Sequence, residues 1–221
     1  MRQHPLVTGE IYHIFNKSIA GFTIFNTNWE YQRILTTVRY YMIGKHSSCL
    51  ARFLELNETN NSDINIVLGD YLRQKAKIVD IIAYCIMPTH IHLIFKQLED
   101  NGISRSVNNI LNSYTRYFNT KHKRKGPLWE SRFKSKLVEN EEQLLHLSRY
   151  IHLNPVTAFL VDKPELWRYS SYREYLGIEE TPRYCHFNSH INVLPGNYKK
   201  FTEDRISYQR ELTRIKDLFI E

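Results

Sequence analysis

The sequence predicts an α+β fold, an antiparallel sheet that carries helices on one face. Segments with the two-residue periodicity of strands alternate with segments of helical periodicity. Their order is strand, helix, strand, strand, helix, strand, helix, and the first six match the ferredoxin-like (split βαβ) arrangement. Hydrophobic residues make up 42% of the 221-residue chain, enough to build a core. The seventh element is a helix added to this arrangement.

The first strand and helix are predicted from local composition and capping. Residues 10–16 are rich in β-branched and aromatic side chains, which is typical of a strand. Thr27 and Glu30 have the spacing of a capping box, and the helical pattern behind them extends to about Gly44. Residues from about 46 to 77 contain a polar stretch between two weakly helical pieces, so we interpret them as an insertion.

Two adjacent strands and a second helix follow. Residues 78–86 and 90–96 are apolar and β-branched, and Pro88 lies between them. Proline lacks a backbone donor, so it belongs at a strand boundary and favours a hairpin-like break here. Apolar residues at helical spacing from 103 to 118 predict the second helix.

The last strand of the sheet and the added helix are predicted next. Residues 131–138 alternate in polarity, and Asn140 is a favourable N-cap for a third helix. We expect one domain to span residues 1–177. The more irregular residues 178–221 form a C-terminal extension, with a helical tail at 205–220.

Composition suggests a polyanionic partner and a cytoplasmic location. Thirty Lys and Arg against 23 Asp and Glu give a net charge of +7, which favours binding to phosphates. Three widely spaced cysteines fit a reducing compartment. The sequence has no signal-peptide core and no apolar run long enough to span a bilayer, so we expect no membrane association.

Two histidines flank one apolar residue in the second strand of the hairpin. His90 and His92 are two apart, so on a strand both imidazoles project from one face. A divalent metal is the leading candidate for what lies opposite them, because neutral imidazole ligates such ions. On this spacing alone, buried or incidental histidines remain the commoner explanation.

A tyrosine and an asparagine lie four apart on the third predicted helix. Tyr150 and Asn154 therefore share one helical face. A tyrosine hydroxyl can attack phosphorus if a metal withdraws charge from the scissile phosphate, and a carboxamide oxygen can complete the metal shell. The alternative is that Tyr150 is a packing residue and Asn154 ends the helix before Pro155.

Segments in a fixed order carry a family resemblance: Tyr84–Ile94, Ser113–Asn119, Gly126–Lys134, Arg149–Val156 and Trp167–Arg173. With them the sequence resembles the single-tyrosine HUH transposases of small insertion sequences, most closely the REP-associated tyrosine transposases. It departs from the common family form in having Thr89 where asparagine usually stands, and in the insertion at about 46–77.

The resemblance implies a function and roles for the candidate residues. His90 and His92 would bind Mg or Mn, with Asn154 as a further metal ligand where the insertion-sequence branch has glutamine. Tyr150 would be the catalytic nucleophile. The implied reaction is metal-dependent cleavage of single-stranded DNA beside a hairpin, through a 5′-phosphotyrosine intermediate that leaves a free 3′-hydroxyl, followed by strand transfer. Relatives of this kind act as monomers or as homodimers.

Basic residues provide candidate contacts to the DNA backbone. Lysine offers a point charge and arginine a planar fork for phosphate. For any single one, a solvated surface charge is the alternative. The DNA-binding candidates are Lys121, Lys123, Arg124, Lys125, Arg132, Lys134 and Lys136.

Two further functions stay open at this stage. A catalytically silent regulator could bind hairpin DNA or RNA, since ferredoxin-like sheets also bind RNA through aromatic stacking. A histidine-ligated metallohydrolase could use activated water, and it would turn over without a protein–DNA intermediate.

Overall fold

A four-stranded antiparallel sheet organises the protein. The computed structural model describes residues 5–58, 64–178 and 184–211. The strand order across the sheet is β2-β3-β1-β4, and every neighbouring pair is antiparallel. The predicted α+β, ferredoxin-like fold is therefore confirmed. The strands are β1 (Ile11–Lys17), β2 (Val79–Met87), β3 (His90–Gln97) and β4 (Lys134–Val138).

The first helix, α1 (Asn28–Tyr40), begins with the predicted capping box. The Thr27 hydroxyl accepts a hydrogen bond from the Glu30 amide, and the Glu30 carboxylate accepts one from the Thr27 amide. These bonds satisfy amides that have no partner within a helix. The helix ends at Tyr40 and not near Gly44, because the chain leaves it to form a backbone bridge between Ile43 and Lys77.

Two short helices occupy the insertion predicted at about 46–77. They are α2 (Leu50–Glu58) and α3 (Ile64–Arg73). Tyr71 of α3 stacks on Tyr40 of α1 with ring centroids 5.7 Å apart, so the insertion packs against the first helix. Part of the polar stretch between these helices lies outside the described residues.

The two faces of the sheet carry different helices. Gln97 accepts a hydrogen bond of 3.2 Å from the amide of Ile103 at the start of α4 (Gly102–Lys121). His92 contacts the ring of Tyr150 in α5 (Glu141–Thr157). Gln97 and His92 are an odd number of residues apart on β3, so their side chains point to opposite faces. The sheet therefore separates α4 from α5.

The core lies largely between the sheet and the α1/α4 layer. Ile91, Leu93 and Phe95 of β3, which alternate with the two histidines, are completely buried. The helix α4 buries the predicted apolar stripe and leaves its other side exposed. Within the described part of the chain, no helix is both long enough and apolar enough to cross a membrane.

The strand β4 is shorter than predicted. It begins at Lys134, whereas the alternating pattern predicted a strand from Ser131. The preceding residues bond to the end of β1 outside the regular ladder: the Glu130 amide donates to the Lys17 carbonyl, and the Asn16 side chain donates to the Ser131 carbonyl. Arg132 therefore precedes the strand.

The region after residue 177 contains more regular structure than predicted. Beyond α6 (Tyr172–Leu176) the chain forms α7 (Pro195–Glu203), where the prediction of irregular structure was wrong. Proline is tolerated in the first turn of a helix because no intrahelical bond is lost there. Residues 206–211 are helical, as the predicted tail requires, and residues 212–220 of that tail lie outside the described part.

Candidate active site

His90 and His92 lie on β3, which is paired on both sides. The antiparallel register places His90 opposite Lys17 of β1 and His92 opposite Phe15. The two imidazole centroids are 5.1 Å apart, with the rings perpendicular. The strand spacing thus brings both rings to one face at the end of β3 where the chain enters from β2, as predicted.

One nitrogen of each imidazole already has a partner. Nδ1 of His90 lies 3.0 Å from the hydroxyl of Thr89, and Nδ1 of His92 lies 2.9 Å from Nε2 of His13. Nε2 is therefore the nitrogen of each histidine that can face an ion. A partner on the second nitrogen is usual for metal-ligating histidines, because it fixes the ring orientation.

Burial keeps both histidines neutral at pH 7. Burial first, and then the Lys17 ammonium, lower the pKa of His90 to about 4. For His92, burial first, and then His13, His90 and Lys17, hold the pKa well below the ordinary value. A neutral imidazole is the form that binds a metal, so the lowered pKa values favour ligation.

The helix α5 carries Tyr150 to the histidines. The Asn140 side chain caps it by accepting from the Gln143 amide at 2.8 Å, as predicted. Ile151 is completely buried, whereas the side chain of Tyr150 is 48% exposed. The Tyr150 ring meets the His92 ring edge-on, with centroids 6.0 Å apart. The tyrosine therefore stands at the open edge of the histidine pair and is not a core packing residue.

Asn154 keeps its place one turn after Tyr150. Its amide nitrogen donates to the Tyr150 carbonyl at 3.1 Å, which leaves the side-chain oxygen as the end that can serve as a ligand. The helix continues through Pro155 to Thr157, so the alternative in which Asn154 ends the helix is wrong. Tyr150 and Asn154 share one helical face.

These donors suit a divalent cation. Within the described residues, no cluster of three or more His, Cys, Asp and Glu side chains could hold a metal. The candidate donors are the imidazole nitrogens of His90 and His92 on β3 and the amide oxygen of Asn154 on α5. Manganese accepts nitrogen and oxygen together, whereas magnesium prefers oxygen. The residues present therefore fit such an ion, with manganese the better match to the imidazoles.

Two predicted DNA-binding lysines share the face of the histidine pair. In the β1–β4 ladder Lys134 lies opposite Phe15 and Lys136 opposite His13, and both lysines are exposed. Residues opposite each other in a ladder project from the same face. The structure thus brings these lysines to the sheet face that carries the histidines. Arg132 is also exposed, but it lies before the strand.

The other predicted cluster lies at the end of α4. Lys121 donates to the Glu30 carboxylate of α1 at 2.9 Å. Arg124 donates to the Asn119 side chain at 3.0 Å and to the Pro127 carbonyl at 2.7 Å. These two cations contact the α1/α4 layer and not the histidine face. Lys121, Lys123 and Lys125 are exposed, and Arg124 is half-buried.

Sequence reasoning missed two residues of this face, His13 and Lys17 of β1. Lys17 lines a depression of about 420 Å³ beside His90, together with Thr89 and Glu130. The signal for both was the register of β1 against β3, which puts odd-numbered residues of β1 beside the histidines. The sequence predicts the strands and their arrangement but not the register in which they pair, so neither residue could be found from it.

Known proteins resemble the chain in sequence and fold. Residues 57–154 match the family described as Transposase IS200 like. A putative REP-associated tyrosine transposase of Haemophilus influenzae is 28% identical over 111 residues, which are 46% of this chain and 63% of that relative. The chain thus spans less than two thirds of the length of that relative.

A solved structure shares the fold. It is a REP-associated tyrosine transposase bound to a REP hairpin, with a TM-score of 0.51 at 14% identity, and the match covers 88% of this chain and 98% of that one. At this identity the likeness speaks for the fold alone. Together the comparisons confirm the resemblance to IS200-like and REP-associated transposases that the sequence motifs predict.

Proposed function

We propose that this protein is a REP-associated transposase of the HUH single-tyrosine type, which cleaves single-stranded DNA beside a hairpin and transfers the strand. The observation that carries the proposal is the approach of Tyr150 to His92, at 6.0 Å between ring centroids, beside a second histidine. An exposed phenol next to two neutral imidazoles suits phosphoryl transfer.

The proposed step is an attack of the Tyr150 phenolic oxygen on the scissile phosphorus. A bond forms between that oxygen and phosphorus, and the bond from phosphorus to the 3′ oxygen of the neighbouring nucleotide breaks. The phenol loses its proton, and the departing 3′ oxygen gains one. The products are a 5′-phosphotyrosine and a free 3′-hydroxyl, and attack by a 3′-hydroxyl on the phosphotyrosine rejoins or transfers the strand.

The other residues of the site would bind a cation and the DNA backbone. His90, His92 and Asn154 would hold a divalent cation, Mg or Mn. When bound, such a cation withdraws charge from the phosphate and so favours attack by a phenol that is mostly protonated at neutral pH. Lys134 and Lys136 lie on the same face, where they would receive the DNA backbone.

A denaturing gel separates this proposal from the two other functions. We expect wild-type protein, labelled single-stranded hairpin DNA and Mn²⁺ to give a covalent protein–DNA band. The Tyr150→Phe variant removes the nucleophilic oxygen and keeps the ring, so the band should vanish while hairpin affinity changes by less than about twofold. Tyr208→Phe, an exposed tyrosine of the C-terminal extension, is the matched control and should retain the band.

Other outcomes contradict the proposal. Cleavage without any protein–DNA band would indicate a metallohydrolase that uses water. Hairpin binding with neither cleavage nor band would indicate a silent binding protein. A band that persists in the Tyr150→Phe variant would show that the nucleophile is another residue.

A further inference from the structure

We propose that His13 is a positioning residue that sets the tautomer of His92 by accepting a hydrogen bond from its Nδ1. This inference rests on the proposed function, because it concerns how His92 presents a nitrogen to a cation. It assigns a role to a strand outside the histidine motif.

The contact follows from the pairing of β1 with β3. His13 lies opposite Ile94, two pairs along the ladder from Phe15 and His92, so both imidazoles project from the same face. Nε2 of His13 is 2.9 Å from Nδ1 of His92, and both side chains are buried. The rings are inclined by 22°, with centroids 5.1 Å apart. Burial on a paired strand fixes the position of His13 relative to His92.

A hydrogen bond between two neutral imidazoles admits two proton arrangements. In one, Nδ1–H of His92 donates to His13, and Nε2 of His92 keeps a free lone pair. In the other, Nε2–H of His13 donates to His92, whose own proton then sits on Nε2. Only the first arrangement lets Nε2 of His92 bind a cation, so cation binding and the donor role of His92 require each other.

His13 is suited to the acceptor role. Its Nε2 lies 2.9 Å from Nδ1 of His92, and a neutral imidazole has one nitrogen that can accept a hydrogen bond. Metal-ligating histidines commonly donate to a carboxylate or a carbonyl, and here a neutral imidazole takes that place.

His90 has a different kind of partner. The hydroxyl of Thr89, 3.0 Å from its Nδ1, can donate or accept and so accommodates either tautomer. The constraint on proton position therefore falls on the His92–His13 pair. Loss of His13 should affect the cation through His92 alone.

The test measures Mn²⁺ affinity of the full chain without DNA, by the electron paramagnetic resonance signal of free Mn²⁺. His13→Phe keeps a planar ring and removes the acceptor, and we expect Mn²⁺ binding to weaken roughly ten- to hundredfold. His13→Gln offers an amide oxygen as acceptor and should recover part of the loss. His46→Phe, a histidine stacked on Tyr40 near the insertion, is the matched control and should leave the affinity unchanged.

A second measurement needs no variant. Nitrogen-15 NMR of the metal-free wild-type protein should show His92 protonated on Nδ1 and His13 unprotonated on Nε2. The opposite tautomer pair would overturn the proposal, as would unchanged Mn²⁺ affinity in folded His13→Phe.

The His90→Ala variant separates this inference from the proposed function. If His90→Ala abolishes Mn²⁺ binding and His13→Phe leaves it intact, the role of His13 is wrong and the metal site stands. If neither His90→Ala nor His13→Phe affects Mn²⁺ binding, the metal site itself is wrong.

Discussion

At the scale of single residues, the buried Glu30 carboxylate joins α1 to the end of α4. It accepts from the Asn26 and Thr27 amides at 2.7 and 3.1 Å, from Lys121 at 2.9 Å and from His122 at 2.7 Å. Burial opposes ionisation, but these hydrogen bonds outweigh it and lower the pKa of Glu30 from 4.5 to about 2. The carboxylate therefore stabilises the fold in its charged form.

Glu30→Gln should make stability less sensitive to acid. A group whose pKa is lowered in the folded state contributes stability above its unfolded pKa, and that stability is lost as the pH falls from about 4.5 towards 2. At ~1.4 kcal/mol per pKa unit, the contribution of Glu30 at pH 7 is roughly 3 kcal/mol. Urea unfolding of the variant should show a loss of that order at pH 7 and a smaller one at pH 3.

The matched control for this experiment is Glu55→Gln. Glu55 is exposed and pairs only with Arg52 three residues away, so the change should shift the unfolding free energy by less than about 0.5 kcal/mol. Parallel pH profiles for wild-type and Glu30→Gln would contradict the assigned role of Glu30.

The same residue shows how far sequence reasoning reaches. The spacing of Thr27 and Glu30 predicts the capping box, because the partners are three residues apart. The ion pair with Lys121 joins residues 91 apart in the chain, and no local pattern indicates it. The charge of Lys121 is visible in the sequence and makes it a candidate for DNA binding. Its ion pair with Glu30 is evident only in the folded chain.

At the scale of elements, hydrogen bonds from the C-terminal extension help to hold α5 against the sheet. The buried His152 of α5 lies between two hydroxyls, with Nδ1 2.7 Å from that of Tyr198 in α7 and Nε2 2.7 Å from that of Ser171. The Tyr198 hydroxyl donates to Ser148 at 2.9 Å, and the Ser171 hydroxyl accepts from the Tyr84 amide of β2. The network thus links α7, α5 and the sheet behind Tyr150.

Tyr198→Phe should weaken this link. The change keeps the ring and removes the hydroxyl. Nδ1 of His152 and the hydroxyl of Ser148 then each lose a buried hydrogen bond. Such a loss costs roughly 1–3 kcal/mol, and denaturant unfolding measures it. The exposed Tyr208→Phe is the control and should change the unfolding free energy by less than about 0.5 kcal/mol. Equal effects of the two changes would contradict a structural role for the network.

The elements themselves were largely predictable where local patterns decide them. The strands of the hairpin and the helices α4 and α5 follow from periodicity and from the Asn140 cap. The helix α7 was not predicted, because the sequence after residue 177 lacks a clear helical pattern. The helix begins at Pro195, and proline is favourable in a first turn. The shortened β4 reflects bonds to β1 that depend on the tertiary structure.

At the scale of the whole molecule, positive charge gathers on the sheet face of the histidine pair. Lys17 lies opposite His90, and Lys134 and Lys136 follow on β4. The chain carries a net charge of +7. On the proposed function, this face contacts DNA phosphates, and each such contact releases counterions and so steepens the salt dependence of binding.

Lys134→Ala with Lys136→Ala should therefore lower the salt dependence of hairpin binding. We expect weaker affinity at low salt and a log–log slope smaller by up to about 2. Lys45→Ala with Lys75→Ala removes the same charge from exposed positions around the insertion and is the matched control. Fluorescence anisotropy over a salt series measures both. Equal slopes for the two double variants would contradict a DNA contact by β4.

The convergence of the site was predictable in part. The strand spacing of His90 and His92 and the helical spacing of Tyr150 and Asn154 each place two groups on one face. The contact between Tyr150 and His92 depends on how α5 packs on the sheet, which local spacing could not indicate. His13 required the register of β1, so it emerged only from the folded chain.

Mapping the covalent product tests the proposed role of Tyr150 most directly. Wild-type protein would react with single-stranded hairpin DNA and Mn²⁺, be denatured and digested, and the nucleotide-bearing peptide would be sequenced by mass spectrometry. We expect a phosphodiester link on Tyr150 through the 5′-phosphate of the DNA. A link on any other residue, or DNA cleaved without any modified peptide, would contradict it.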